Sequence, residues 1–125
     1  MYKCMKLIKK NLKYFRILNE KRNLFNSLNK DFFQIYDNCN FIQQIILRNK
    51  VKLIRNRARY IGYIWTDFYP RDICYINAMN VVYEYRSTDI LPYKCLINTI
   101  KKNYIIKYFC ESNNYNFRLL KKVGF

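Results

Sequence analysis

Few residues in this chain could do chemistry. It has no His, which removes imidazole bases and His-ligated metals together. Its five Cys (Cys4, Cys39, Cys74, Cys95 and Cys110) stand 15 to 35 residues apart without a Cys-x-x-Cys pair. No zinc set is spelled out, so no metal site is expected, and an odd number of thiols suits a reducing compartment. The run Tyr83-Glu84-Tyr85-Arg86-Ser87-Thr88-Asp89-Ile90-Leu91 is richer. It joins an apolar strand pattern to a helical one, and at such a junction free backbone N–H groups attract anions. Arg86, Ser87 and Thr88 could converge there on one phosphate. The plainer alternative is that Asp89 caps the helix and Arg86 is solvated.

The elements that must position this loop follow from hydrophobic period. Tyr2 to Ile8 reads as a first strand, with the first turns of a helix as the alternative. From Asn11 to about Leu47 apolar residues recur at helical spacing (Leu12, Phe15, Leu18; Leu24, Phe25, Leu28, Phe32; Phe41, Ile45, Ile46). Val51–Arg55 and Arg59–Phe68 are rich in β-branched and aromatic residues and flank a short turn, which predicts an antiparallel hairpin. A second turn at Pro70-Arg71-Asp72 leads to a central strand, Ile73 to Val82. A helix is expected from Ile90 to Lys102, a strand from Tyr104 to Cys110, and a closing helix from Ser112 to Gly124. Strand, helix and returning strand make a β-α-β unit, so one parallel pair enters an otherwise antiparallel sheet. The expected fold class is α/β (α+β), a mixed and mainly antiparallel sheet flanked by helices. One domain is expected over 1–125, mainly helical over 1–48, with the sheet over 49–125.

The stretch Val81-Val82-Tyr83-Glu84-Tyr85-Arg86-Ser87-Thr88-Asp89-Ile90 resembles the signature by which the GNAT superfamily (Gcn5-related N-acetyltransferases) binds the pyrophosphate of acetyl-CoA. That signature is a strand ending in Val, a Pro-Glu-Tyr-Arg-like turn, and an Arg/Gln-x-x-Gly-x-Gly/Ala loop opening a helix. Glu84, Tyr85, Arg86 and Ile90 match it. The segment Asn113 to Phe125 resembles the later motif of the same family, with Asn113, Leu119, Lys122, Gly124 and Phe125 in register, and Gly62-Tyr63-Ile64 resembles the strand leading into its cofactor site. The likeness covers about residues 45–125.

The resemblance implies an acyl-CoA N-acyltransferase-like fold and transfer of an acetyl group from acetyl-CoA to an amine, with acetyl-CoA as cosubstrate. The pantetheine arm would lie along Met79, Val81 and Val82, in a gap between the central and returning strands. Main-chain amides of Arg86, Ser87, Thr88, Asp89, Ile90 and Leu91 would hold the pyrophosphate, and Asn113 would contact the cofactor. The sequence departs from the family at Asp89 and Leu91, where the loop usually has Gly, and at Leu120, where many members place the Tyr that protonates the thiolate. It also ends at Phe125, where the family continues into further strands. These departures imply a C-terminally truncated or degenerate member, weakened or inactive, whose exposed sheet edge could pair with a second copy.

No catalytic residue is assigned from sequence. Asp67, Glu84 and Glu111 are the carboxylates nearest the expected cleft, with Glu84 also readable as a turn residue. Tyr63, Trp65, Phe68 and Tyr69 either line an acceptor pocket or alternate into the core. The formal net charge is +16, of which +12 falls in residues 1–60 and +4 in residues 61–125. This leaves open a competing reading as a basic nucleic-acid-binding or non-catalytic interaction module, using cationic helices of residues 3–22 and the segment Arg48 to Arg59, although these basic residues are not grouped like a recognition motif and could simply solvate the outer faces. No stretch approaches the ~20 apolar residues of a membrane span, and Lys interrupts the N-terminus too often for a signal peptide, so a soluble cytoplasmic protein is expected.

Overall fold

In the computed structural model, residues 1–20, 31–85, 90–108 and 121 are described. Their strands form one five-stranded sheet in the order β1-β2-β3-β4-β5. The strands are β1 (Tyr2–Lys6), β2 (Val51–Asn56), β3 (Arg59–Tyr69), β4 (Ile73–Val81) and β5 (Ile105–Tyr108). The helices are α1 (Leu12–Glu20), α2 (Phe32–Tyr36), α3 (Phe41–Arg48) and α4 (Leu91–Ile97). Neighbours from β1 to β4 run antiparallel, and β4 and β5 are parallel. The mixed, mainly antiparallel α+β architecture expected from the sequence is the observed one.

Local chemistry explains the element ends. Asp31 caps α2, its carboxylate accepting from Phe33 N–H at 3.1 Å. Asn40 and Gln43 form a reciprocal capping box on α3, at 2.9 and 3.1 Å. Buried Asn11 joins β1 to α1: its amide donates to Lys6 O at 3.0 Å, and its side-chain oxygen accepts from Ile8 N–H at 2.8 Å. The helix expected from Ile90 to Lys102 is shorter, ending at Ile97; the Thr99 hydroxyl donates to Leu96 O at 2.6 Å and helps close it. The residues Leu24, Phe25 and Leu28 lie outside the described residues. Of the expected closing helix only Lys121 is described, in helical conformation.

The sheet divides two cores. On one face α1 and α2 press Phe15, Phe32, Phe33 and Tyr36 onto Val51, Leu53, Tyr63, Trp65 and Ala78. Rings meet edge to face there, Phe15 on Tyr63 at 5.0 Å and Phe32 on Trp65 at 5.2 Å. On the other face Tyr93, Leu96 and Ile100 cover Ile54, Ile61, Ile64, Cys74, Ile76, Met79 and Val81. α3 differs: Phe41, Ile42, Ile45 and Ile46 are exposed, so its apolar spacing marks a helix without marking a core element. The N-terminal basic residues do not share one helix. Lys3 and Lys6 lie on β1, Lys9 and Lys10 in a 3-10 turn, and Lys13 and Arg16 on α1, which corrects the expectation of cationic helices over residues 3–22; residues 21 and 22 are outside the described residues.

Two bulges set which side chain faces which core. Between Trp65↔Ala78 and Thr66↔Ile76, β4 carries one extra residue, Asn77. Before it Cys74 and Ile76 face α4, and after it Met79 and Val81 do. A bulge shifts the alternation by one and bends its strand. On β3 the extra residue is Ile61, between Ile54↔Gly62 and Arg55↔Tyr60, and it too turns toward α4.

Candidate functional site

The parallel pairing of β4 with β5 runs from Ile73↔Ile105 to Ile76↔Tyr108. Beyond it β4 passes through the Asn77 bulge and continues to Val81, past the described residues of β5. Val82 N–H donates to Ile61 O at 2.8 Å, which holds the strand end against β3. Strand alternation then turns the backbone groups of Val81 and Met79 toward the β5 edge. Their side chains do not line a gap: Val81 is fully buried and Met79 nearly so, in the core under α4. Any ligand along this edge would meet main chain at these two positions.

After Val82 the chain tightens into a 3-10 turn, Tyr83–Tyr85, with Tyr85 N–H on Val82 O at 3.0 Å. Tyr85 is anchored twice, its ring edge to face with Tyr2 at 6.4 Å and its hydroxyl accepting from Asn56 Nδ2 at 3.1 Å. On the far side of the loop Ile90 packs onto the α4 core and is the residue that caps α4, with Pro92 inside the first turn. Ile90 makes no side-chain cap hydrogen bond. Val81 and Val82 stand where the connection leaves β4 and Ile90 and Leu91 where it enters α4; Val81, Val82 and Ile90 share the core under α4, and Leu91 is half exposed. Arg86, Ser87, Thr88, Asp89 and Asn113 lie outside the described residues.

Two described candidate carboxylates, Asp67 beside the bulge and Glu84 just past the end of β4, are engaged. Asp67 Oδ1 takes Lys50 Nζ at 2.8 Å, and its Oδ2 accepts from Asn77 Nδ2 at 2.6 Å, which ties the bulge to β3 and to the chain entering β2. Glu84 is exposed on the 3-10 turn and meets Arg59 at 3.4 Å. Glu111 and Leu120 lie outside the described residues. The thiols of Cys4 and Cys74 are each pushed up to about 11, first by burial, so neither is a nucleophile near neutral pH. Among the described residues no group of three or more His, Cys, Asp or Glu is placed to hold a metal ion. Tyr63 and Trp65 are core residues, whereas Phe68 and Tyr69 are half exposed.

Sequence reasoning missed a cleft on the α1 face at the same end of the sheet. One cavity of about 760 Å³ lies between α1 and the β2–β3 turn, lined by Tyr14, Ile17, Arg57, Arg59, Tyr60 and Tyr85 among others. A second, of about 320 Å³, continues to Tyr63, Asn80, Val82, Tyr83 and Glu84. The two share Leu18, Arg59 and Val82. The signal available in sequence was Arg57 in a two-residue turn, but only sheet pairing brings that turn beside the end of β4.

No family model and no curated protein matches this sequence. Solved structures do match its shape. The ribosomal-protein-S18-alanine N-acetyltransferase from Escherichia coli superposes with a TM-score of 0.67 at 12% identity, covering 99% of this chain and 77% of its own. The chain has the GNAT acetyltransferase fold. A GNAT-family acetyltransferase from Streptococcus pneumoniae gives 0.62 at 16% identity over 100% of this chain and 86% of its own. AAC(6')-Iy, in complex with the bisubstrate analogue CoA-S-monomethyl-acetylneamine, gives 0.64 at 11% identity over 100% and 90%. The GNAT likeness therefore spans the chain, including the N-terminal helices where no motif was read. Among the described residues no helix is long and apolar enough to cross a membrane.

Proposed function

We propose that this protein binds acetyl-CoA at the β4–α4 end of the sheet and transfers the acetyl group to an amine. The observation that supports this most is the parallel β4–β5 pair with its bulge at Asn77, set in a fold that matches GNAT acetyltransferases over the whole chain. The residues present fit the cofactor's chemistry. The edge of β4 turns amide and carbonyl groups of Met79 and Val81 toward an extended chain such as pantetheine. Arg86, Ser87 and Thr88 fall between the anchored Tyr85 and Ile90 and bring a cation and hydroxyls for a diphosphate. Asn113 is proposed as a further cofactor contact.

Acetyl-CoA supplies an activated thioester acyl group when bound. The chain's part is positioning. Asp67 is committed to Lys50 and Asn77, where it fixes the bulge, and Glu84 lies on Arg59. Catalysis then rests on holding an already deprotonated amine against the thioester, an effect of orientation that needs no side-chain base.

A thermal-shift titration tests the reading. A ligand that binds only the folded state stabilises it by roughly 2.7 kcal/mol at a hundredfold excess over Kd, so acetyl-CoA should raise the melting temperature by several degrees. An unchanged melting temperature at millimolar acetyl-CoA overturns the proposal. Asp89→Gly removes a carboxylate from the anion loop and should tighten CoA binding; equal or weaker binding would show that Asp89 does not weaken the site.

A further inference from the structure

We propose that the cleft between α1, the β2–β3 turn and the end of β4 holds the acceptor, and that it selects an acidic peptide carrying a free amine. This rests on the acetyl-transfer reading above. The two joined cavities begin against Asn80 of the strand assigned to the cofactor and Val82 and Tyr83 just after it, and run outward between α1 and the turn at Arg57. Their combined extent admits several residues of an extended chain.

Charge in the wall is ordered along that path. At the outer end Arg57 is exposed and, among the described residues, has no carboxylate partner. Its backbone has φ 56°, in a two-residue turn closed directly by the Asn56↔Arg59 pair, so the side chain projects from the tip of a tight hairpin. Arg59 follows, sharing Glu84 at 3.4 Å, with about half of each side chain exposed. An exposed pair of that length is weak, and an incoming carboxylate can displace it. Glu84 stands at the inner end, in the cavity beside β4.

A chain with its neutral N-terminal amine on the Glu84 side and carboxylates toward Arg59 and Arg57 matches this order. A polyphosphate backbone does not, because it would meet Glu84 with like charge. Tyr14 and Tyr60, stacked at 5.0 Å with planes 21° apart, give the same cleft a flat apolar side for the peptide's backbone and side chains. Two guanidiniums suit carboxylates by geometry as well as by charge.

The test compares acetylation of two synthetic peptides with free N-termini, one bearing Asp and Glu after the first residue and one bearing Asn and Gln there. The native protein should prefer the acidic peptide by about tenfold or more in kcat/KM. Arg57→Glu should abolish the preference, Arg57→Lys should retain most of it, and both should keep the acetyl-CoA melting shift. Equal use of the two peptides by the native protein, or a preference that survives Arg57→Glu in a folded variant, overturns the proposal and leaves acetyl transfer standing. If acetyl-CoA neither shifts the melting temperature nor releases CoA thiol with any amine, acetyl transfer fails. Fluorescence anisotropy of the labelled acidic peptide then reads the cleft alone. Binding lost in Arg57→Glu upholds it as an acidic-peptide site, and no binding to the native protein overturns it.

Discussion

Gly62 shows how one residue can hold the candidate site in place. A Cβ there would lie 2.6 Å from Asn80 O and 3.0 Å from Val81 Cγ2, so β3 could not approach β4 as it does. The obstacle is backbone, which cannot swing aside as a side chain could. Gly62→Ala should cost about 1–3 kcal/mol by overpacking and should displace the strand that carries Met79 and Val81. Denaturant unfolding measures the loss, and a cost near zero would show that the strands part freely. Gly62-Tyr63-Ile64 was singled out only by its resemblance to the family's strand leading into the cofactor site, and the structure supplies a steric reason for the glycine. Asp67 went the other way. It was legible as a carboxylate near the cleft, but its capture by Lys50 and Asn77 depends on β4 bulging at one residue, which composition cannot show.

At the scale of elements, the strands were readable because β-branched and aromatic runs stood between short turns. The boundaries of α4 were not, since Ile100 has helical spacing but packs on the same core from beyond the helix end. The β3–β4 turn has a local cost. Arg71 and Asp72 both take positive φ, 68° and 58°, a backbone that favours Asn and Gly. The double substitution Arg71→Asn with Asp72→Gly should stabilise the protein by about 1 kcal/mol and leave CoA binding unchanged. The melting temperature reads the gain, and a loss would mean that the Arg71 or Asp72 side chain holds the turn by contacts of its own. α3 carries a lesson about pattern: its apolar spacing and capping box were both sufficient for a helix, yet neither says whether a partner layer exists to bury Phe41 and Ile42.

For the whole molecule, a net charge of +16 works against the compact state by self-repulsion. Close ion pairs such as Arg16 with Asp37 at 3.2 Å offset little of it, because there are only 8 acidic residues for 24 basic ones. Raising salt from about 10 mM to about 300 mM shortens the screening length severalfold and should raise the melting temperature by a few degrees. A fall on adding salt would indicate that local ion pairs outweigh the repulsion. The same excess charge made nucleic acid a competing reading; its N-terminal basic residues, Lys3, Lys6, Lys9, Lys10, Lys13 and Arg16, lie on a strand, a turn and a helix and not on the single run of helix expected.

Sequence by itself determined the order and type of most described elements and the parallel crossover. Those are local properties, set by hydrophobic period, turn residues and chain direction. Tertiary structure decided which face each residue of β3 and β4 presents, because bulges at Ile61 and Asn77 shift an alternation that sequence reads as regular. It also decided that Arg57, Arg59, Tyr14 and Glu84 line one cleft. They lie far apart along the chain and meet only because antiparallel pairing returns the β2–β3 turn to the end of β4, while packing of Phe15 and Leu18 lays α1 across it.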